Sequence, residues 1–243
     1  MIVEPKVKLI ASTYIEVDDD YDNDSISEFM EVNPEYTASE VLTEFAGRAC
    51  YQSFHKPNPK TADTGDYLRR TLFEQKHWSI AEHASATFYI TGVSRALTHE
   101  LIRHRHLSYS QLSQRFVDES DGNIVLPPAV RKAFKDAQEE GVGLPMVDSL
   151  LDADVAQGHA YEAIVFALED MGYPRKQARE AARAVLPNMT ETRIVVTGNL
   201  RSWHEVIQRR TAPDADAEIQ EVMGMVRDKL HEVAPNIFPK EEA

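Results

Sequence analysis

The sequence predicts a helix-rich α+β fold, with residues 1–243 forming one domain around a small, mostly antiparallel sheet. Three observations lead there. Stretches with apolar residues every three to four positions outnumber the short β-branched and aromatic runs, which are scattered between them. No internal repeat and no glycine-rich linker divides the chain. At 243 residues and 42% hydrophobic content there is enough apolar side chain for one sizeable core.

Residues 7–15, VKLIASTYI, read as the opening strand. Residues 18–35 hold eight acids and neither Lys nor Arg, the composition of a solvated acidic loop or insertion. TASEVLTEFAGRACY opens with Thr37 and Glu40 three positions apart, a capping-box spacing, and continues as an amphipathic helix in which Cys50 reads as a small apolar residue. KPNPKTADTG is a loop, because two prolines and a glycine interrupt any regular pairing. DYLRRTLFEQ reads as a second helix, and a strand begins near Ser85. VSRALTHELIRH is helical, with Val93, Leu97 and Leu101 on one face. NIVLPP reads as a short strand closed by prolines, and 148–172 as a long helix ending at Gly172 before Pro174. Then follow a helix over 174–186, a strand in TETRIVVTG, a helix in NLRSWHEVIQRR with Asn199 as N-cap, and a last helix over 214–234.

Charge and cysteine usage narrow the function. With 40 acidic against 26 basic residues, a formal charge of -14, the body repels nucleic acid polymers and anionic lipid. Yet Arg95 to Arg115 carries four arginines, three histidines and one acid, Glu100, and PRKQAREAARAVLP adds Arg175, Lys176, Arg179 and Arg183 against Glu180. An acidic body with compact basic patches suits small anionic ligands. A single cysteine rules out an intramolecular disulfide and a cysteine zinc cage within one chain. The N-terminal MIVEPKVKLIAS has no secretory-signal pattern, and no run has the length and apolarity of a membrane span, so the expected location is the cytoplasm.

No metal motif is expected. HELIRH misses the HExxH pattern because Arg103 stands where the second His would be, and His77, Glu82 and His83 match no zinc spacing. GxGxxG and GxxxxGK[ST] are both absent, so any nucleotide must be held by side chains. The segment RHRHLSYSQLSQRF, 103–116, offers them. A guanidinium forks onto two phosphate oxygens and keeps its charge when buried, which makes Arg103, Arg105 and Arg115 anion clamps. The plainer reading is a solvated basic face; Ser108, Ser110, Gln111, Ser113 and Gln114 favour a ligand-binding loop instead. Arg175, Arg179 and Arg183 recur every four residues, and like charges so placed destabilise a bare helix. Acids from the acidic loop or a partner helix are expected against Arg175 and Arg179, while Arg183 reaches inward.

Arg103-His104-Arg105, then seven residues, then Ser113 is similar to the signature of the flavin-dependent thymidylate synthases, the thymidylate synthase complementing protein family. EFAGRACYQS, KPNPKT, EHAS, FYITG, HELIRHRH, SYSQLSQR, ARAVLPN and TETRIVVTGN also resemble actinobacterial members, so the likeness runs from about residue 40 to about 215. The resemblance implies a homotetramer with sites shared between subunits, converting dUMP to dTMP with methylenetetrahydrofolate as carbon donor and NADPH as reductant through FAD. By motif position it implies FAD contacts from Ser79, Arg103, His104, Arg105, Gln111, Asn199 and Arg201. It implies dUMP contacts from Glu100, Arg103, Gln111, Ser113, Gln114, Arg115, Arg183 and Arg210, with His77 at the folate and nicotinamide entrance.

Cys50 lies outside the signature, so the resemblance implies activation of uracil without a thiolate. Arg210 is then the group that favours negative charge on the ring, as an oxyanion hole does for a carbonyl. Ser113 positions the pyrimidine without attacking it, since the motif gives it no basic partner. Two positions depart from relatives: Glu205 where His or Asn is frequent, and Asp214 where His is common. Two other classes remain open. One is a nucleotide or single-stranded RNA binding module that uses the arginine loop with Tyr109 and Phe116 as stacking platforms, which the charge of -14 disfavours. The other is an oligomer that kept the fold and lost the chemistry.

Overall fold

The computed structural model describes residues 1–16, 29, 35–56, 58–140 and 144–240. The acidic loop or insertion expected over 18–35 lies outside them apart from Phe29 and Glu35. Among the described residues four strands, β1 (Lys6–Ser12), β2 (Ser85–Ser94), β3 (Ser108–Gln111) and β4 (Glu191–Asn199), form one antiparallel sheet in the order β1-β2-β4-β3. The described residues include the α-helices α1 (Ala38–Tyr51), α2 (Thr64–Leu68), α3 (Arg95–Leu101), α4 (Pro128–Glu140), α5 (Pro145–Asp170), α6 (Arg175–Ala182), α7 (Leu200–Arg210) and α8 (Ala217–Val233).

Alternation decides which face of the sheet is covered. Ala86, Phe88 and Ile90 on β2 and Ile194 and Val196 on β4 are buried together, and Leu200, Trp203, Val206 and Ile207 of α7 join them with Ile219, Val222, Met223, Val226 and Leu230 of α8. Trp203 sits at the centre: its indole N–H donates to the Ala86 carbonyl at 3.1 Å, and its ring meets Phe88 edge-on at 5.1 Å. The capping box of α1 is present, with Thr37 and Glu40 exchanging hydrogen bonds. Asn199 caps α7 by accepting from the Ser202 N–H at 2.8 Å.

Several sequence expectations are corrected. The polar segment expected as a loop contains β3, an edge strand paired with β4 from Ser108↔Thr197 to Gln111↔Ile194. NIVLPP contributes only isolated bridges, Ile124 to Ile2 and to Thr190. The prolines that follow open α4, which the sequence reading did not assign. The second helix starts at Thr64 and turns π-helical over Arg69–Glu74. The long helix begins at Pro145, and the 174–186 segment is α6 followed by a 3-10 turn at Arg183–Val185. Val93 ends a strand, and Ser94 caps α3. Cys50 is on α1 as expected, but on its exposed side.

The step from β2 into α3 is tightly built. The ladder register shifts between Ile90 and Val93, and Gly92 inside that bulge has φ of +67°. A Cβ on Gly92 would lie 2.0 Å from the Glu4 carbonyl oxygen. Gly92→Ala is therefore expected to lower stability by about 2 kcal/mol or more, read as a reduced urea midpoint, because strain and steric overlap act together.

Candidate functional site

α3 is two turns long and presents side chains to two places. Arg95 and His99, four residues apart and thus on one face, line a cavity of about 420 Å³ together with Gln114, Glu180, Arg183, Asn188 and the apolar Ala184, Leu186 and Pro187. Gln114 is buried there, whereas Arg183, expected to reach inward, borders the cavity from the turn after α6 and is itself exposed. Burial lowers the Arg95 pKa, with Arg183 adding to the effect and Glu119 opposing it. Glu119 is itself buried, which pushes its pKa up to about 7 against the pull of Arg95. Arg115 is not among the lining residues but lies 4.0 Å from Glu180, which is, and 5.7 Å from the Phe116 ring.

The loop after β3 is held against α6 by Arg179, which donates to the Phe116 carbonyl at 2.6 Å and to Asp118 at 2.7 Å. Arg175 pairs with Glu169 at 2.9 Å. The acids expected against Arg175 and Arg179 are thus Glu169, at the end of the neighbouring helix α5, and Asp118, on a loop the sequence did not single out.

On the other side of α3, Arg210 from the end of α7 makes three hydrogen bonds. It donates to the Glu100 carboxylate at 2.5 Å, to the Glu100 carbonyl at 3.3 Å, and through Nε to His104 Nε2 at 2.9 Å. An arginine N–H can only donate, so His104 Nε2 carries a lone pair and the ring is the neutral Nδ1–H tautomer. Burial lowers the His104 pKa, and Arg210 and Arg209 lower it further. Tyr109 seals the end of α3 by donating its hydroxyl toward the carbonyls of Leu101 at 2.7 Å and His104 at 2.9 Å. That hydroxyl, its pKa raised by burial to about 12, is engaged in the fold and the ring is half-buried, so Tyr109 is no free stacking platform.

Gln111 donates to Thr98 at 3.1 Å and Thr192 at 3.2 Å. Ser113 accepts through its carbonyl from Phe116 and Val117. Its hydroxyl has no partner among the described residues. Arg103 and Arg105 are exposed and, among the described residues, pair with no carboxylate. Two cations left unpaired on an acidic protein suit a ligand with phosphate groups, so these residues fit a dinucleotide cofactor.

A second cavity, of about 460 Å³, is lined by Lys76, His77, Trp78, Ser79, Arg201, His204, Glu205 and Gln208. His77, Ser79 and Arg201 thus come together, while Asn199 is occupied in capping α7. Arg201 is bound by two acids, Glu82 at 2.6 Å and Glu205 at 3.0 Å. Glu205, the first departure, is therefore an arginine partner; Asp214, the second, is exposed in the turn between α7 and α8. Trp78 stacks on His204 with ring centroids 3.6 Å apart and meets Phe73 edge-on. Burial takes the His204 pKa down to about 4.

Residues 34–236 match the family model described as thymidylate synthase complementing protein. The chain is 52% identical over 198 residues to a flavin-dependent thymidylate synthase of Mycobacteroides abscessus, covering 82% of this chain and 78% of that one. The chain belongs to the flavin-dependent thymidylate synthase family. A probable flavin-dependent thymidylate synthase of Mycobacterium phage L5 is 48% identical over 241 residues, 96% of each chain. Among solved structures, the UMP/dUMP methylase PolB of Streptomyces cacaoi, bound with 5-Br dUMP, superposes with a TM-score of 0.68 at 21% identity over 98% of this chain and 94% of that one. Thymidylate synthase X of Helicobacter pylori, with FAD and dUMP, gives 0.57 at 23% identity over 82% and 92%. These two likenesses establish the family fold for the helix-rich α+β architecture described above.

Sequence reasoning missed several residues that line or support the two cavities of this family member. Arg95 and His99 carried a usable signal, their spacing of four behind the Ser94 cap. Lys76, Trp78 and His204 had none, because the stack joins segments far apart in sequence. Glu119 lacked one for the same reason. A histidine held neutral by burial supports the fold at neutral pH and opposes it once protonated. Unfolding stability should therefore fall as pH drops from about 6.5 toward about 4, where the unfolded chain binds the His204 proton and the folded one resists it. His204→Phe, which keeps a ring on Trp78, should lose less stability over that interval, read as the melting temperature against pH.

Proposed function

We propose that this chain, residues 1–243 acting as one domain in a cytoplasmic homotetramer, makes dTMP from dUMP with methylenetetrahydrofolate as carbon donor and NADPH as reductant through FAD. The observation that carries this reading is the pairing of a basic cavity with a rigidly held guanidinium across one short helix. His99 lines the cavity, and its neighbour Glu100 grips Arg210. The names of the relatives and the ligands of the two fold neighbours, FAD, dUMP and 5-Br dUMP, point to the same substrate and cofactor.

Arg183 and Arg115, with the amide of Gln114, neutralise and orient the phosphate of dUMP, and Ser113 offers its unpartnered hydroxyl to the nucleotide. Arg103 and Arg105 hold the phosphates of FAD, joined by His104, Gln111, Ser79, Asn199 and Arg201. FAD, when bound, supplies the two-electron carrier between NADPH and the transferred carbon. His77 stands where the folate and nicotinamide enter.

The activating group is Arg210. Of its five N–H bonds, three are engaged by Glu100 and His104, leaving two for the N3 and O2 edge of uracil. A guanidinium already oriented does not reorganise as negative charge grows on the ring, which is the condition for electrostatic stabilisation of a transition state. No thiol takes part: Cys50 donates to the Ala46 carbonyl on α1, a helix that lines neither of the two cavities. Assembly is supported by the exposed Leu151, Val155 and Phe166 of α5 and by Met171 and Tyr173 just beyond it.

Purified protein should be yellow with FAD, bleach with NADPH and dUMP, and form dTMP once methylenetetrahydrofolate is added; colourless protein that takes up no FAD would overturn the reading. Arg210→Ala should retain FAD and lose about a hundredfold or more in dTMP formation. Methylation at the wild-type rate by that variant would refute the mechanism while leaving the family assignment intact.

A further inference from the structure

The basic cavity and the Arg210 cluster both depend on the direction in which α3 leaves the sheet. α3 has only seven residues, and a helix so short cannot set its own orientation through its internal hydrogen bonds. Its first residues are held by the Thr190 and Asn188 carbonyls, which accept the Arg95 and Ala96 N–H at 3.1 and 3.2 Å, and by a side chain from α8. Glu218, in the first turn of α8, accepts the Ser94 backbone N–H at 2.8 Å and the Ser94 hydroxyl at 2.6 Å. The same hydroxyl caps α3 by accepting the Leu97 N–H at 3.1 Å. Glu218 is 7% exposed and Ser94 3%.

A carboxylate buried to that degree is expensive unless its oxygens are filled by donors. Burial raises the Glu218 pKa, and both donors of Ser94 act against that rise. Asp216, the α8 N-cap, holds the Glu218 backbone N–H at 2.9 Å, so the carboxylate is offered from a fixed helix end. A second buried acid, Glu191, secures the preceding corner by accepting the Gly92 N–H at 3.0 Å and the Asn123 amide at 2.6 Å.

We propose that Glu218 is a positioning residue of the active site, a latch that orients α3 through the Ser94 cap so that Arg95 and His99 face the nucleotide cavity while Glu100 meets Arg210. This rests on the function proposed above. α8 follows α7 by the turn at residues 211–216, so the latch ties the element that carries Arg210 to the start of the element that carries Glu100. The Glu100–Arg210 ion pair closes the same loop at the other end. Released at Ser94, the start of α3 is left to its backbone bonds with Thr190 and Asn188 and to the packing of Leu97 and Leu101, and the displacement falls first on Arg95.

The decisive variant is Glu218→Gln, which keeps size and loses the second acceptor. Ser94→Ala removes the other half of the latch by a smaller change and serves if Glu218→Gln does not fold. Folded, flavin-loaded protein is assayed for dTMP formation and NADPH oxidation over a range of dUMP, and dUMP affinity is read from the change in the flavin spectrum. Each variant is expected to raise both KM and dissociation constant for dUMP roughly tenfold or more, since displacements of about 1 Å at a site are costly. All assays are run with FAD at saturation, because Arg103, His104 and Arg105 follow α3 directly and Gln111 bonds Thr98 on it, so flavin affinity shifts with the helix. The double variant should be no worse than the single ones, as two halves of one contact are not additive.

A role in stability alone would lower the melting temperature while leaving the KM and dissociation constant of the folded fraction at wild-type values, and that result overturns the latch. Additive effects in the double variant overturn it as well. If the wild-type protein itself makes no dTMP, the functional reading fails and the latch with it; wild-type dTMP formation with unaltered variants removes the latch only.

Discussion

The antiparallel pairing of β2 with β4 is the constraint on which the rest depends. Ser94, at the end of β2, lies opposite Glu191, and Asn199, at the end of β4, lies opposite Ser85, so the two strands finish at opposite ends of the ladder. Each finishing residue is a helix cap, Ser94 for α3 and Asn199 for α7. The two helices therefore start about 30 Å apart, by the rise of nine strand residues, and run toward each other. Seven residues of α3 and eleven of α7 span roughly 10 and 16 Å, which nearly closes the gap. They meet where Arg210 takes hold of Glu100 and His104. A slip of one residue in the ladder would turn Ile194 and Val196 out of the core and carry the meeting point away with them.

Pairing of charges sorts the arginines by purpose. Arg48 is buried with Glu44 and also binds the carbonyls of Ser53 and Thr61, which makes it an anchor for the loop between them. Arg175 and Arg179 fasten α6 to its surroundings, and Arg201 sits between two acids. Arg103 and Arg105 alone among the arginines of the signature segment have no carboxylate near them among the described residues, on a chain where acids outnumber bases 40 to 26. Both are exposed, so their charge is met by solvent in this chain and stays available.

What could be read in the sequence was local. The Thr37–Glu40 box, the Asn199 cap, the β-branched runs that became β2 and β4, and the proline and glycine stops all act within a few residues of themselves. The signature Arg103 to Ser113 was equally legible, since recognition needed only spacing. β3 was not: Ser-Tyr-Ser-Gln has no apolar alternation, and it is a strand because β4 offers it a ladder edge. Nor could spacing show that Arg201 would be claimed by Glu82, that His204 would lie flat on Trp78, or that Glu119 would be buried near Arg95. Each of these is an encounter between segments far apart in the chain, decided by packing. The helix that leads into the signature is likewise held by distant groups, with Tyr109 at the carbonyls of Leu101 and His104 and Glu218 at Ser94.

The stacked pair in the second cavity also furnishes an intrinsic optical label. The chain has two tryptophans: Trp203 is sealed in the core, and Trp78 lines a cavity with its ring face against an imidazole. Light emitted by the first reports the integrity of the packed interior, whereas the second senses whatever enters beside it. Following the two separately distinguishes loss of structure from arrival of a guest, with no dye attached.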